Sequence, residues 1–491
     1  MKEVSKSQFA NNAIWKFVET ICKKIISLVI STILARLLVP EAYGVVALTT
    51  IFITFSDIFI LNGFNVALIR KDNVSNLDYS TVTFMSLVFS LVMYIAFFIS
   101  APFLATFYDS AELTSVLRVI TLLLFPQSIA TVIRSKATRE LKFKKMSLAS
   151  LVSSTLASIV GVIMAYMGFG VWALIAQQVL TNFFDMVFLM VAFRWRLSVK
   201  FSSSIAKEML NFTLGVLGAS FLDFLGNNAN GLVIGKAYSA TELGYYNRGN
   251  TYPETISLNM YNSITSVLLP TLASRQDDNN AIKSVTRKVV SVTEYIMLPM
   301  MFGLIAISDK FVSVLLTEKW NSCIPVLICA CLCYAINPVR AIGYNVFYAK
   351  GESKKCVQIE TYRSVFMLVN LGVTIILLHK SIYFLAAMNV MIALTIAITT
   401  QYQVNKSIGY KFKELIKDIG SSLLMSLAVI IVVRLIALIP VADVWVFLVQ
   451  IIIGALTYLI LSIITKNTNF LFLFDFCCEK LKMNKKGKSN I

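Results

Sequence analysis

The sequence predicts an all-α polytopic membrane protein of about fourteen transmembrane helices, with two parallel six-helix halves around a central cavity and two further C-terminal helices. Three observations predict it. Apolar residues make up 57% of the 491-residue chain and charged residues only 14%, whereas soluble domains run at roughly half and a quarter; mean hydropathy is +0.75. Apolar runs of bilayer length recur from end to end. The connections between them alternate in charge.

The spans are expected near 13–38, 44–68, 79–102, 113–133, 147–168, 170–193, 209–235, 243–270, 288–307, 322–348, 357–378, 381–404, 415–438 and 442–465. Pro126, Pro253, Pro299 and Pro338 fall inside spans and soften their boundaries. The first apolar run is too long for a cleavable signal peptide, and no small-residue cleavage site follows it.

Basic residues gather on one side. They include Arg70 and Lys71, the set from Arg134 to Lys145, Arg194 to Lys207, Arg275 to Lys288, Lys350 to Lys355 and Lys406 to Lys417. The opposite turns hold only Arg36, Lys236, Lys310, Lys319 and Lys380, beside acidic Asp109 and Glu112. The positive-inside rule then makes both termini cytoplasmic, which an even number of spans requires. This bias accounts for most of the +18 net charge, so nucleic acid is not an expected partner. The tail, FLFLFDFCCEKLKMNKKGKSN, is aromatic and then basic, a pattern suited to the inner membrane surface.

The eight cysteines show no disulfide or zinc spacing. Cys329, Cys331 and Cys333 scatter around a helix as small core residues, and lipidation of Cys477 and Cys478 is set aside. His379 is the sole histidine; metal sites and catalysis built on histidine are nearly excluded. No connection has room for a soluble catalytic domain, so no enzyme activity and no cofactor are expected beyond a coupling proton or sodium ion.

The chain repeats itself. LARLLVPEAYG at 34–44 compares with IGKAYSATELG at 234–244, aligning Arg36 with Lys236 and Gly44 with Gly244. Further on, Lys144-Lys145 match Lys354-Lys355. These pairs suggest an N-terminal six-helix lobe over 1–208, a second over 209–405, two additional helices over 406–465 and a basic tail over 466–491. Transporters commonly place their substrate between such repeats.

Polar stripes mark the inner faces. Lys16, Thr20, Lys23, Ser27 and Ser31 share a face of span 1, and Thr50, Thr54, Asp57 and Asn65 one of span 2. Span 7 carries Thr213, Ser220, Asp223, Asn227 and Asn230; span 8 carries Arg248, Tyr252, Thr255, Asn259, Asn262 and Ser266. Span 10 offers Asn337, Arg340 and Tyr344, and span 11 Glu360, Arg363, Asn370 and Thr374. Lipid-facing helices would not carry such stripes, because a central charge costs at least ~2.5–3.5 kcal/mol.

Lys23, Lys24, Arg248, Arg340 and Arg363 are read as a cationic, substrate-binding lining, since an arginine fork suits phosphate oxygens. Asp57, Asp223, Asn227, Asn259 and Asn262 are read as the polar lining of the same cavity. Asp57, Asp223 and Glu254 are candidates for binding a coupling ion. Asp185, Glu294 and Arg434 are read as structural charges, and Glu360 with Arg363 and Glu19 with Lys23 as local ion pairs.

The stretches LARLLVPEAYGVVAL, GFNVALIRK, GVWALIAQQ, LGYYNRGNTYPETI and VLLPTLASRQDD carry a resemblance. With them the chain resembles the Wzx-type polysaccharide exporters, lipid-linked oligosaccharide flippases of the multidrug/oligosaccharidyl-lipid/polysaccharide exporter superfamily. The resemblance spans essentially the whole chain and marks the family, not the sugar carried. It implies a flippase of the bacterial inner membrane that moves undecaprenyl-diphosphate-linked oligosaccharide repeat units by alternating access, for O-antigen, capsule or exopolysaccharide assembly. Its implied partners are that lipid-linked oligosaccharide, the bilayer and other polysaccharide assembly proteins. A drug/cation antiporter of the same superfamily is the nearest rival, and a polysaccharide polymerase a more distant one. The antiporter should show a mainly acidic cavity, the polymerase a large outer loop or an acid–base pair.

Overall fold

The computed structural model describes residues 6–58, 60, 68, 71, 74–196, 200–377, 381–437 and 442–475. The side chains of 6–18, 21, 211–212, 214–219, 222–223, 225, 227 and 376–377 lie outside that description too. Expectations for Lys16, Asn65, His379, Cys477 and Cys478 therefore fall outside the described residues.

The described chain is helical from end to end: α1 Lys6–Leu37, α2 Pro40–Asp57, α3 Asn76–Phe107, then α4, a broken helix over Glu112–Arg139. There follow α5 Phe143–Tyr166, α6 Val171–Phe193, α7 Ser203–Ala237, α8 Ala240–Ala273 and α9 Asn279–Phe311. The last are α10 Ile324–Ala349, α11 Ser353–Leu377, α12 Ile382–Ile408, α13 Phe412–Ile436 and α14 Asp443–Ile464. Helix is what a bilayer demands, since it satisfies every backbone donor and acceptor within the segment.

Local sequence sets the helix ends. Ser75 caps α3: its hydroxyl accepts from the Asp78 amide at 3.2 Å, and the Asp78 carboxylate accepts from the Ser75 amide at 2.7 Å. Asp278 caps α9 through the amides of Asn280 and Ala281. In α4 the helix tightens to a 3-10 turn at Thr121–Leu123. Pro126 explains the break, as its ring crowds the carbonyl of Leu122 and it has no N–H to donate.

Among the described residues, nine helices are long and apolar enough to cross a membrane: α3 to α6, α9, α10 and α12 to α14. This is a multi-pass membrane protein. The remaining helices, α1, α2, α7, α8 and α11, occupy the expected spans 1, 2, 7, 8 and 11.

By compactness the chain divides into two units, Met1–Gly244 and Tyr245–Ile491; the sequence lobes 1–208 and 209–405 are defined by the repeat instead. In the first unit α5 packs on α6 and α1, α4 on α3 and α6, and α7 on α2 and α3. Ser147, Ser150, Ser153, Ala157, Gly161 and Ala165 form the buried face of α5, and such small residues let membrane helices approach closely. In the second unit α9 packs on α10, α13 and α14, and α12 on α10 and α11. Tyr295, Met425, Val429, Val433 and Tyr458 close one core there. Exposed Val92, Ile99 and Phe103 of α3, and Leu424, Ile431 and Leu435 of α13, are surface for hydrocarbon.

Candidate functional site

The charges predicted on α1 are built into a network in the first unit. Glu19 and Lys23, one turn apart, pair at 3.0 Å. Glu19 is 2% exposed and accepts from the Ser147 hydroxyl at 2.6 Å, while Lys23 donates to the Ser150 hydroxyl. Ser150 also accepts from Arg134 at 3.4 Å. Arg134 in turn forks the Asp185 carboxylate, Nη2 to Oδ1 at 2.6 Å and Nε to Oδ2 at 3.2 Å. Two cations and two carboxylates thus join α1, α4, α5 and α6. The Arg134 link was missed in the sequence, where Arg134 counts as a loop charge. The available signal was Asp185 itself, because a lone carboxylate in an apolar span requires a partner.

Lys24, beside Lys23, is half-buried. Asp57, at the end of α2, accepts from Gln127 Nε2 on α4 at 2.8 Å. Asp223 and Asn227 lie on α7, but their side chains are outside the described residues.

In the second unit Glu360 gathers two arginines. Arg340 Nη1 reaches Oε1 at 2.7 Å, and Arg363 Nε reaches Oε2 at 2.5 Å. The Tyr344 hydroxyl donates to Oε1 at 2.9 Å, and Asn337 Oδ1 accepts from Arg340 Nε and Nη2 at 3.1 and 3.0 Å. All three charged side chains remain about one-third exposed (27–34%), so the cluster has net charge +1 at an open surface. The expected i, i+3 pair, Glu360 with Arg363, is present, but Arg340 joins it from another helix.

Arg248 is placed differently from the other cations. It is 6% exposed, and its guanidinium lies 5.4 Å from the Tyr252 ring centroid and 5.7 Å from that of Trp320, in cation–π range.

The open stripe of α8 runs through Thr251, Thr255, Asn259, Asn262 and Ser266, all exposed, with Glu254 exposed beside it. Thr255 donates to Thr251 O and Asn259 to Thr255 O, at 2.7 and 2.6 Å. The Thr255 hydroxyl and one Asn259 N–H are thereby satisfied within the helix, and the side-chain oxygens stay available as acceptors. Of the charges read as structural, Asp185 pairs with Arg134, and Arg434 binds Asp309 and the Ile305 carbonyl. Glu294 is 1% exposed on α9.

Comparison with known proteins adds to this geometry. A family model described as polysaccharide biosynthesis protein matches residues 33–325. The succinoglycan biosynthesis transport protein ExoT of Rhizobium meliloti is 27% identical over 60% of this chain and 60% of its own, so the match spans less than two thirds of that relative. The lipopolysaccharide biosynthesis protein WzxC of Escherichia coli is 23% identical over 68% of each chain. Among solved structures, the lipid II flippase MurJ in an inward closed conformation superposes with a TM-score of 0.71. That match covers 93% of this chain and 99% of MurJ at 16% identity, and so shows a shared fold. With the family model covering more than half of its length, the chain belongs to the polysaccharide biosynthesis protein family.

Proposed function

We propose that the protein is a flippase that carries undecaprenyl-diphosphate-linked oligosaccharide repeat units across the bacterial inner membrane by alternating access. One observation carries the reading: α8, a 34-residue helix, exposes an uninterrupted line of threonine, asparagine and serine side chains at mid-length. Hydrocarbon does not solvate such a line, whereas sugar hydroxyls are donors for its free acceptors. The Arg340–Glu360–Arg363 cluster, with one surplus positive charge, suits a lipid diphosphate. Relatives named for succinoglycan transport and lipopolysaccharide biosynthesis, and a fold shared with a lipid II flippase, support the same substrate class. Both termini are cytoplasmic in this reading, and all fourteen numbered helices span. Asp57, held by Gln127, is the first candidate for binding a coupling ion.

The test is reconstitution in liposomes with a fluorescent undecaprenyl-diphosphate oligosaccharide, scoring its exposure on the opposite leaflet with and without proton and sodium gradients. Transfer that needs the protein supports the reading; transfer equal to protein-free liposomes refutes it. Asp57→Asn should abolish gradient dependence while substrate binding persists.

A further inference from the structure

A second polar feature lies in the unit Tyr245–Ile491, apart from the α8 stripe. A cleft of about 450 Å³ opens between the first turns of α9, the first turns of α13 and a short helix over 468–475. Lys283, Arg287 and Lys288 reach it from α9, and Glu414 and Asp418 from α13. Arg287 forks Asp418, Nε to Oδ2 at 2.8 Å and Nη2 to Oδ1 at 2.7 Å, and reaches Glu414 at 2.9 Å. Lys283 pairs with Glu414 at 2.8 Å. Three cations face two carboxylates, so one positive charge is in excess. Donors are in greater excess: a guanidinium has five N–H groups and an ammonium three, and the contacts with Glu414 and Asp418 use only part of them.

The third wall is polar where it meets the cleft, at Thr468 and Asn469, and apolar side chains of the same short helix flank it. Asn469, 3% exposed, donates to Ser291 Oγ at 2.6 Å, and Asn467 donates to Ser421 Oγ at 3.1 Å. These bonds pin the short helix to α9 and α13. Leu471, Phe472 and Phe474 on that helix are 47%, 47% and 56% exposed, and Lys288 Nζ stands 4.1 Å from the Phe472 ring centroid. A cationic, donor-rich hollow therefore abuts exposed aromatic and aliphatic side chains, at the end of helices that cross a bilayer.

We propose that this cleft binds the phosphate of an anionic phospholipid of the surrounding leaflet. Lys283 and Lys288 hold the phosphodiester, and Leu471, Phe472 and Phe474 sit at the acyl boundary. A soluble phosphate would use the cations but leave the flanking aromatic side chains in water. A zwitterionic lipid would use those side chains, while its own cation would oppose the excess charge. A phosphodiester bearing acyl chains uses both. The site is separate from the transport reading and needs no transported substrate.

The test is native mass spectrometry of the full chain in nonionic detergent, titrated with phosphatidylglycerol, phosphatidylcholine or inorganic phosphate. Phosphatidylglycerol should be retained at least tenfold better than phosphatidylcholine, and excess inorganic phosphate should not displace it. Each lysine near a membrane surface is worth about fivefold in binding, so Lys283→Ala with Lys288→Ala should weaken retention about thirtyfold. Phe472→Ser, which spares the charges, should also weaken it. Lys236→Ala, in the other unit, should leave it unchanged. Retention in the double variant within twofold of the parent, equal retention of phosphatidylcholine, or displacement by inorganic phosphate would each overturn the proposal.

Discussion

Gly44 and Gly244 pack reciprocally. A Cβ added to Gly44 would overlap the carbonyl of Ala240, and one added to Gly244 would overlap the carbonyl of Pro40 and stand 3.3 Å from the Gly44 nitrogen. The two glycines are the positions that the internal repeat aligns, and each meets the first residue of the other's helix. Such reciprocity is that of an isologous contact, here within the unit Met1–Gly244.

The obstacles are backbone atoms, which no rotamer change can clear. Gly44→Ala and Gly244→Ala should each destabilise the folded protein by about 1–3 kcal/mol. Both changes open one contact, so the double variant should cost less than the sum of the singles. Thermal unfolding of the detergent-solubilised variants checks this; strictly additive losses would mean that the glycines act independently.

The Arg134–Asp185 fork predicts an asymmetry. Asp185→Ala leaves a half-buried guanidinium without its carboxylate and should cost about 1–3 kcal/mol, less than a fully buried pair because Arg134 still meets solvent. Arg134→Leu with Asp185→Leu should recover most of that loss, since no charge is stranded. Unfolding midpoints of the three variants give the answer, and a double variant as unstable as Asp185→Ala would contradict it.

Glu360 competes with any anion for Arg340 and Arg363. Glu360→Gln should raise the affinity for an undecaprenyl-diphosphate oligosaccharide about fivefold, which is ~1 kcal/mol. Turnover should fall, because a more tightly held substrate leaves more slowly. Binding and transfer measured on one proteoliposome preparation separate the two effects. Weaker binding by the variant would remove the cluster from the substrate site.

Glu352, in the connection between α10 and α11, gives the acid dependence. Burial alone would raise its pKa, but the Ser407 hydroxyl at 2.6 Å and Lys355 at 2.9 Å outweigh it and hold the carboxyl below its usual range. A depressed folded-state pKa contributes stability above the unfolded value, near 4.5, and that contribution fades as pH falls through the folded value. Glu352→Gln should therefore lower stability at neutral pH and reduce its loss below about pH 4.5. Unfolding midpoints between about pH 7 and 3.5 test the sign.

Membrane class, helical structure and the polar face of α8 from Thr255 onward were legible in composition and periodicity. A bilayer forces long apolar runs into helix, and helix periodicity then places Thr255, Asn259, Asn262 and Ser266 on one line, which the structure exposes. Pairs within a turn, Glu19 with Lys23 and Glu360 with Arg363, were legible for the same local reason.

The remaining contacts join residues far apart in the chain and form only on packing. Arg134 finds Asp185 across 51 positions, and Arg340 turns a local pair on α11 into a three-membered cluster. Arg248 begins the α8 stripe in sequence yet is buried beside Tyr252 and Trp320. Periodicity says which residues share a face of one helix; which neighbour covers that face depends on crossing angles and connections, and these appear only once the helices have packed.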